Sequence, residues 1–165
     1  MSNRDKIRID SILREIKQDE KVLKMKDYIQ HGNTTTYEHC ERVTDLCYVL
    51  NKRMHLNADE RILLTGAMLH DFYLYDWHVK DSSHRMHGYH HADTAMYNAV
   101  RYFDIDERVQ HIIWCHMWPL NISRLPRTRE AVIVCFADKC CSVAEILTGI
   151  ILKKREGELQ GGVRK

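Results

Sequence analysis

Residues 131–138 read Ala131-Val-Ile-Val-Cys-Phe-Ala-Asp138, an apolar run that ends in a carboxylate. The run is apolar on every side of a helix, which indicates a helix buried inside the protein. A buried carboxylate must be compensated by a cation, by hydrogen bonds or by a proton. Lys139 follows directly, but adjacent helix residues do not face each other, which makes this lysine a poor partner. A metal ion is therefore the natural candidate, and an Asp138 turned to solvent or bonded to the backbone is the alternative.

A second apolar run repeats this logic. Residues 63–71 read Leu63-Leu-Thr-Gly-Ala-Met-Leu-His-Asp71. Gly66 inside this helix costs about 1 kcal/mol relative to alanine, which predicts close packing against a neighbouring element. His70 and Asp71 offer an imidazole and a carboxylate side by side, and both are ligands for zinc, iron or manganese. Two buried helices, far apart in the sequence, thus each end in potential metal ligands. This repetition indicates a metal centre rather than a chance occurrence.

The remaining pattern predicts a single all-α domain. Apolar residues recur at helical spacing almost throughout, and no segment alternates as a strand does. We expect a compact bundle of six to seven helices over residues 1–152, followed by a polar, flexible tail at 153–165. The predicted helices are 7–16, 19–28, 36–54, 57–71, 90–103, 106–116 and 128–146. Residues 31–36 and 119–127 are predicted loops, and residues 72–88 are predicted to be irregular.

Local signals mark several helix starts. Thr36 and Thr128 are predicted N-caps, because a hydroxyl can accept a hydrogen bond from the first turn of a helix. Asn57 with Glu60 resembles a capping box.

Composition limits the classes of function. The chain has 165 residues, which fits one domain, and its net charge of +2 would not attract nucleic acid or an anionic membrane. No apolar stretch approaches the ~20 residues of a membrane span, and the polar N-terminus does not resemble a signal peptide. We therefore expect a cytoplasmic protein without a membrane or nucleic-acid polymer as partner. The oligomeric state is left open.

The six cysteines do not suggest a disulfide framework. None forms a C-x-x-C pair, and most lie among apolar residues of predicted helices. This pattern indicates buried, reduced thiols rather than disulfides or a zinc site built on sulfur.

Histidine is the informative residue type. The chain has eleven histidines, eight of them from His70 to His116. A single histidine is usually a surface residue or a satisfied core group, and only the polar stretch 84–91 resembles a surface tract. By contrast, His39, His70 and His116 lie beside apolar residues, at helix ends or on helical faces.

The order of His39, the His70-Asp71 pair and Asp138 resembles the HD superfamily of metal-dependent phosphohydrolases. The local contexts are similar as well: Tyr-Glu-His-Cys-Glu-Arg-Val around His39, Ala-Met-Leu-His-Asp before residue 72, and Phe-Ala-Asp-Lys around Asp138. The resemblance covers roughly residues 34–147. It implies that these four residues bind a metal at the centre of a helical bundle.

Two-metal members of this superfamily contribute two further histidines. One lies at a helix start, typically before proline, and the other ends the next helix; His91 and His116 match these positions. Alanine stands at position 92 where proline is usual, which leaves His90 as a second choice and His87 as a weaker one. We favour His91, because Ala95 then falls one turn later on the same face, where the family prefers a small residue.

The resemblance implies two divalent ions, either iron, manganese, zinc or magnesium, about 3.5–4 Å apart. His39, His70 and Asp138 would hold one ion, His91 and His116 the other, and Asp71 would bridge them. Water activated by the ions would attack a phosphate ester. A small phosphorylated substrate is expected, and resemblance to diadenosine tetraphosphate hydrolases makes nucleotides a candidate. The alternatives are a di-iron oxygenase of the same superfamily and a non-catalytic metal-binding module.

Four further residues are candidates for substrate binding. Lys139 could contact a phosphate, although a solvated charge is the simpler interpretation. Tyr73, Trp77 and His78 lie in the aromatic segment after the ligand pair, where loops beside a rigid scaffold often carry binding residues. Aromatic packing over the bundle is the alternative for these three.

Overall fold

The structure is a computed structural model that describes the backbone of residues 1–79 and 87–161, and the side chains of residues 1–79 and 88–152. These residues form a compact helical bundle, as predicted. Its helices are α1 Asn3–Gln18, α2 Glu20–Leu23, α3 Thr36–Arg53, α4 Glu60–Leu69, α5 His87–Tyr102, α6 Glu107–Cys115 and α7 Arg129–Gly161. A 3-10 turn at Lys24–Asp27 and a hairpin of strands β1 Ile29–His31 and β2 Thr34–Thr35 connect α2 to α3.

The hairpin corrects the prediction of a loop at residues 31–36. Its strands have three and two residues, so they are too short to produce a detectable alternation of apolar and polar residues. Gly32 adopts a φ of 60° at the turn, a conformation that glycine adopts without steric cost. A Cβ atom added to Gly32 would lie 3.3 Å from the Cα of Gly149, so this turn packs closely against α7.

Several predicted helix boundaries were also wrong. The N-cap of α3 is Thr35 rather than Thr36, and it forms a capping box with Glu38. The N-cap of α4 is Asp59, whose side chain accepts from the backbone of Ile62, so the capping box predicted from Asn57 is absent. The prediction for Thr128 is confirmed, since its hydroxyl accepts from the backbone N–H of Ala131 at 3.2 Å.

Helix α7 is longer than expected. It continues to Gly161, whereas the prediction ended it near Ile146. Residues 153–161 are thus helical, the last four residues lie outside the described part, and the flexibility of this tail stays a prediction. Helix α5 begins three residues earlier than expected, at His87. Within the described residues, no helix combines the length and hydropathy that a transmembrane segment requires.

Helix α4 is the centre of the bundle. Every residue from Ile62 to Leu69 is buried, and α4 packs against α1, α3, α6 and α7. Gly66 permits the contact with α6 that its presence predicted. A Cβ atom at this position would lie 2.7 Å from Cδ1 and 3.1 Å from Cβ of Ile112. This close approach fixes the end of α4, where His70 and Asp71 follow.

We predict that Gly66→Ala destabilises the protein, although alanine is the better helix former. Overpacking of a buried site costs about 1–3 kcal/mol, which outweighs the ~1 kcal/mol that alanine gains in helix propensity. Gly88→Ala is the matched control, since among the described residues its added Cβ would meet Leu120 Cδ2 alone, at an ordinary 3.6 Å. In denaturant titrations the first variant should lose stability and the second should not. The interpretation fails if both variants gain stability.

Candidate metal centre

All six predicted ligands meet in the interior of the bundle. His39 lies in the first turn of α3, His70 and Asp71 end α4, His91 lies in α5, His116 ends α6 and Asp138 lies in α7. None of these residues is more than 7% exposed. Their ligand atoms form three overlapping groups of three, with the atoms of each group within 4.8 Å of one another. Five elements of the fold thus contribute side chains to one small region.

The carboxylate of Asp71 faces two different sets of imidazoles. Its Oδ2 lies 3.5 Å from Nε2 of His70 and 3.9 Å from Nε2 of His39. Its Oδ1 lies 3.2 Å from Nε2 of His91 and 3.4 Å from Nε2 of His116. Asp138 lies on the Oδ2 side, since its Oδ1 is 3.2 Å from Nε2 of His39. Asp71 therefore stands between two groups of nitrogen and oxygen atoms.

Two backbone carbonyls fix the tautomers of His70 and His116. Nδ1 of His70 donates to the carbonyl of Ala67, and Nδ1 of His116 donates to the carbonyl of Ile113, both at 2.7 Å. A carbonyl oxygen only accepts, so each Nδ1 carries a proton, and in a neutral ring each Nε2 presents a lone pair to the centre. Burial lowers the pKa of His70 to about 4, which keeps that ring neutral. Both rings are thus oriented as metal ligands.

His39 is held by a carboxylate instead of a carbonyl. Its Nδ1 lies 2.9 Å from Oε2 of the buried Glu145, whose other oxygen accepts from Arg42 at 3.1 Å. Burial lowers the pKa of His39, but the hydrogen bonds with Asp138 and Glu145 outweigh it and raise the pKa to about 10. A carboxylate behind an imidazole is a common way to orient a metal ligand and increase its basicity.

The two buried aspartates are ionised. Burial by itself raises the pKa of Asp71, but the surrounding imidazoles, His70 foremost, hold it well below its usual range. Burial also raises the pKa of Asp138, but its hydrogen bond with His39 and the neighbouring His70 and Lys139 outweigh this effect and hold the pKa well below its usual range. The centre therefore places two negative charges among closely spaced imidazoles inside the bundle, an arrangement that suits a bound cation.

Two polar atoms of the centre support this conclusion. Among the described residues, Nε2 of His70 and Oδ1 of Asp71 are buried and have no hydrogen-bond partner. Leaving such a group unpaired costs about 1–3 kcal/mol, and more when it is charged. Imidazole nitrogens and carboxylate oxygens are ligands for divalent transition metals. The residues present thus fit divalent metal ions.

Two supporting residues were missed at the sequence level. Gln30 of β1 donates to Oδ2 of Asp71 at 2.6 Å, and no local signal marks this residue, since the hairpin alone brings it here. Glu145 could have been found, because it follows Asp138 by seven residues on one helix and so lies on the same face.

Lys139 is a closer partner of Asp138 than predicted. Its Nζ lies 3.1 Å from Oδ2 of Asp138 and also donates to the carbonyl of His116. The long, flexible side chain curls back along its helix, which an argument from the backbone direction alone does not anticipate. Ser142 donates to Oδ1 of the same aspartate at 3.2 Å. Asp138 is thus compensated in part by the protein itself.

The other candidates lie in different surroundings. Tyr73 is 2% exposed, and its hydroxyl donates to Oε1 of Gln30, so it supports the residue that binds Asp71. Trp77 is half-buried and stacks on His78, with 3.9 Å between the ring centroids. Nδ1 of the exposed His78 lies 3.1 Å from a carboxylate oxygen of Asp76. His90 is exposed, and the side chain of His87 lies outside the described residues.

Comparison with known proteins is consistent with this centre. A family model for the HD domain matches residues 36–142, a range that contains all six predicted ligands. Comparisons with curated proteins and with solved structures give no match. The HD model covers well over half of the chain, and the fold and the buried His/Asp cluster agree with it. This chain therefore belongs to the HD domain family, whose members are mostly metal-dependent hydrolases.

Proposed function

We propose that this protein is a phosphohydrolase that binds two divalent metal ions side by side and cleaves a small phosphate ester or nucleotide. The observation that carries the proposal is the position of Asp71. Its two oxygens face separate pairs of imidazoles, at 3.5 and 3.9 Å on one side and at 3.2 and 3.4 Å on the other. A carboxylate in this position is suited to bridge two ions.

These distances support the following ligand sets. Asp71 Oδ2 would hold one ion together with His39, His70 and Asp138, and Asp71 Oδ1 would hold the other with His91 and His116. Two adjacent divalent ions supply Lewis acidity, which polarises a phosphoryl oxygen and lowers the pKa of a coordinated water towards about 7.

The protein contributes orientation. Hydrogen bonds from His70 and His116 to backbone carbonyls keep both rings turned to the centre. Gln30 fixes the rotation of the Asp71 carboxylate, and so determines which oxygen faces which pair of imidazoles. Lys139 is partly exposed beside Asp138, so its ammonium group is available to attract a phosphate.

We predict that His91→Ala lowers the metal content from two ions per chain towards one. This change removes one of only three ligands proposed for the second ion. His90→Ala is the matched control, because His90 is the adjacent residue, is exposed and belongs to none of the ligand groups. Elemental analysis of purified protein measures the ratio. A native content of one ion, unchanged by His91→Ala, would contradict the two-metal proposal.

We predict that removing the metal lowers the melting temperature by at least about 5 °C. Without a metal ion, Nε2 of His70 and Oδ1 of Asp71 have no hydrogen-bond partner among the described residues, and each such buried group costs about 1–3 kcal/mol, more when it is charged. For a protein of this size, each 1 kcal/mol shifts the melting temperature by about 2–4 °C. Thermal unfolding is recorded before and after chelation, with metal removal verified by elemental analysis. A melting curve that does not change on metal-free protein would argue against a buried site.

The reaction class is tested on apo-protein reconstituted with manganese in the absence of oxygen. We expect phosphate release from some nucleotides or phosphate esters, abolished by Asp71→Asn. Asp76→Asn is the control, because Asp76 is partly exposed, its carboxylate contacts His78, and it belongs to none of the ligand groups. Absence of hydrolysis across the panel, with oxygen consumption by iron-loaded protein on an organic substrate, would replace the hydrolase with a di-iron oxygenase.

A further inference from the structure

The outward side of α7 carries little charge over about five turns. Every fully exposed residue from Val132 to Leu152 is uncharged, although charged residues make up 29% of the chain. Lys139 is the partly exposed charged residue of this stretch, and its ammonium group is paired with Asp138. Surface helices ordinarily carry their polar residues on the solvent side, and a helix that is apolar all round is normally buried all round. Within the described residues, α7 packs with its inner side, against α3, α4, α6 and strand β1.

The exposed apolar side chains form one continuous stripe, called here the outer face of α7. Its members recur every three or four residues, which aligns them along one side of the helix. The seven large members are each 45–59% exposed, and an exposed cysteine lies among them. The outer face of α7 consists of Val132, Phe136, Cys140, Val143, Ile146, Leu147, Ile150 and Ile151. This spacing is the one by which helices pack side by side in coiled coils.

The area of the outer face is large enough for a dimer interface. Covering it would bury roughly 600 Å² on each chain, and roughly 1,200 Å² in total is the lower end for specific, stable interfaces. The apolar stripe also complements itself across a two-fold axis, because the neighbouring charge of Lys139 is already paired with Asp138.

We propose that this protein forms a two-fold symmetric dimer in which the outer face of α7 packs against the same face of a second copy. The inner side of the same helix carries Asp138 and Glu145, which both contact His39. The dimer interface would therefore stabilise the helix that positions this histidine. A membrane surface is the less suitable occupant, because interfacial helices combine an apolar face with a basic polar face, whereas the opposite side of α7 is buried in the domain. The proposal does not depend on the reaction that the metal centre performs.

The test is the mass in solution of the full, metal-loaded chain, measured by sedimentation equilibrium over a range of concentrations. We expect twice the chain mass of 19.6 kDa for the native protein. Phe136→Glu combined with Leu147→Glu should weaken association at least 100-fold, because charges would oppose each other in an apolar interface. Both side chains are more than half exposed, so the monomer should keep its fold and melting behaviour. Tyr97→Glu on α5 is the control, since Tyr97 is 62% exposed and lies outside the outer face; it should stay dimeric.

A second measurement uses the native protein alone. Alkylation of Cys140, followed by mass spectrometry, should slow as the protein concentration rises, because association covers this thiol. A native protein that is monomeric at its highest soluble concentration would overturn the proposal, as would a Phe136→Glu, Leu147→Glu variant that remains dimeric. Monomeric protein that instead binds vesicles of phosphatidylglycerol and phosphatidylcholine through this face would also overturn it.

Discussion

The carboxylate of Asp71 imposes the constraint on which the rest of the centre depends. It is ionised, almost fully buried and surrounded by imidazoles, and one of its oxygens has no hydrogen-bond partner among the described residues. Burying such a charge without compensation would cost several kcal/mol. The fold therefore has to bring donors and a cation to a single point. Gln30 supplies one donor from the hairpin, and the proposed metal ions supply the rest.

The ends of helices α4 and α6 position two of the predicted metal ligands. His70 and His116 each follow the last residue of a helix, and each donates from Nδ1 to the carbonyl three residues earlier. Those carbonyls lie in the last turn, where backbone acceptors have no partner within the helix. The same hydrogen bond thus satisfies the helix end and aims Nε2 at Asp71. A histidine within a helix could not use its own backbone in this way, and His39 depends on Glu145 instead.

Helix α7 links the centre to the surface of the molecule. Asp138 and Glu145 lie on its inner side, two turns apart, and both contact His39. Gly149 lets the hairpin approach the same helix, and the hairpin carries Gln30 to Asp71. Helix α7 therefore carries both a predicted ligand and a supporting residue, and its outer face is apolar. In the proposed dimer, α7 would be packed on both its inner and its outer side.

The sequence by itself determined the helical class, the central helices and the identity of the residues that cluster. The apolar runs before Asp71 and Asp138 predicted that both carboxylates are buried, which is correct, although Val132 and Phe136 of the second run are exposed. A buried carboxylate has few possible partners, so these two positions were predictable from local chemistry. The helical bundle and the close contact at Gly66 followed from periodicity and helix propensity in the same way. Tertiary structure alone decided the rest, because it depends on contacts between segments far apart in the chain. Contacts in the folded chain bring Gln30 to Asp71 and the ammonium group of Lys139 to Asp138, and they leave one side of α7 exposed to solvent.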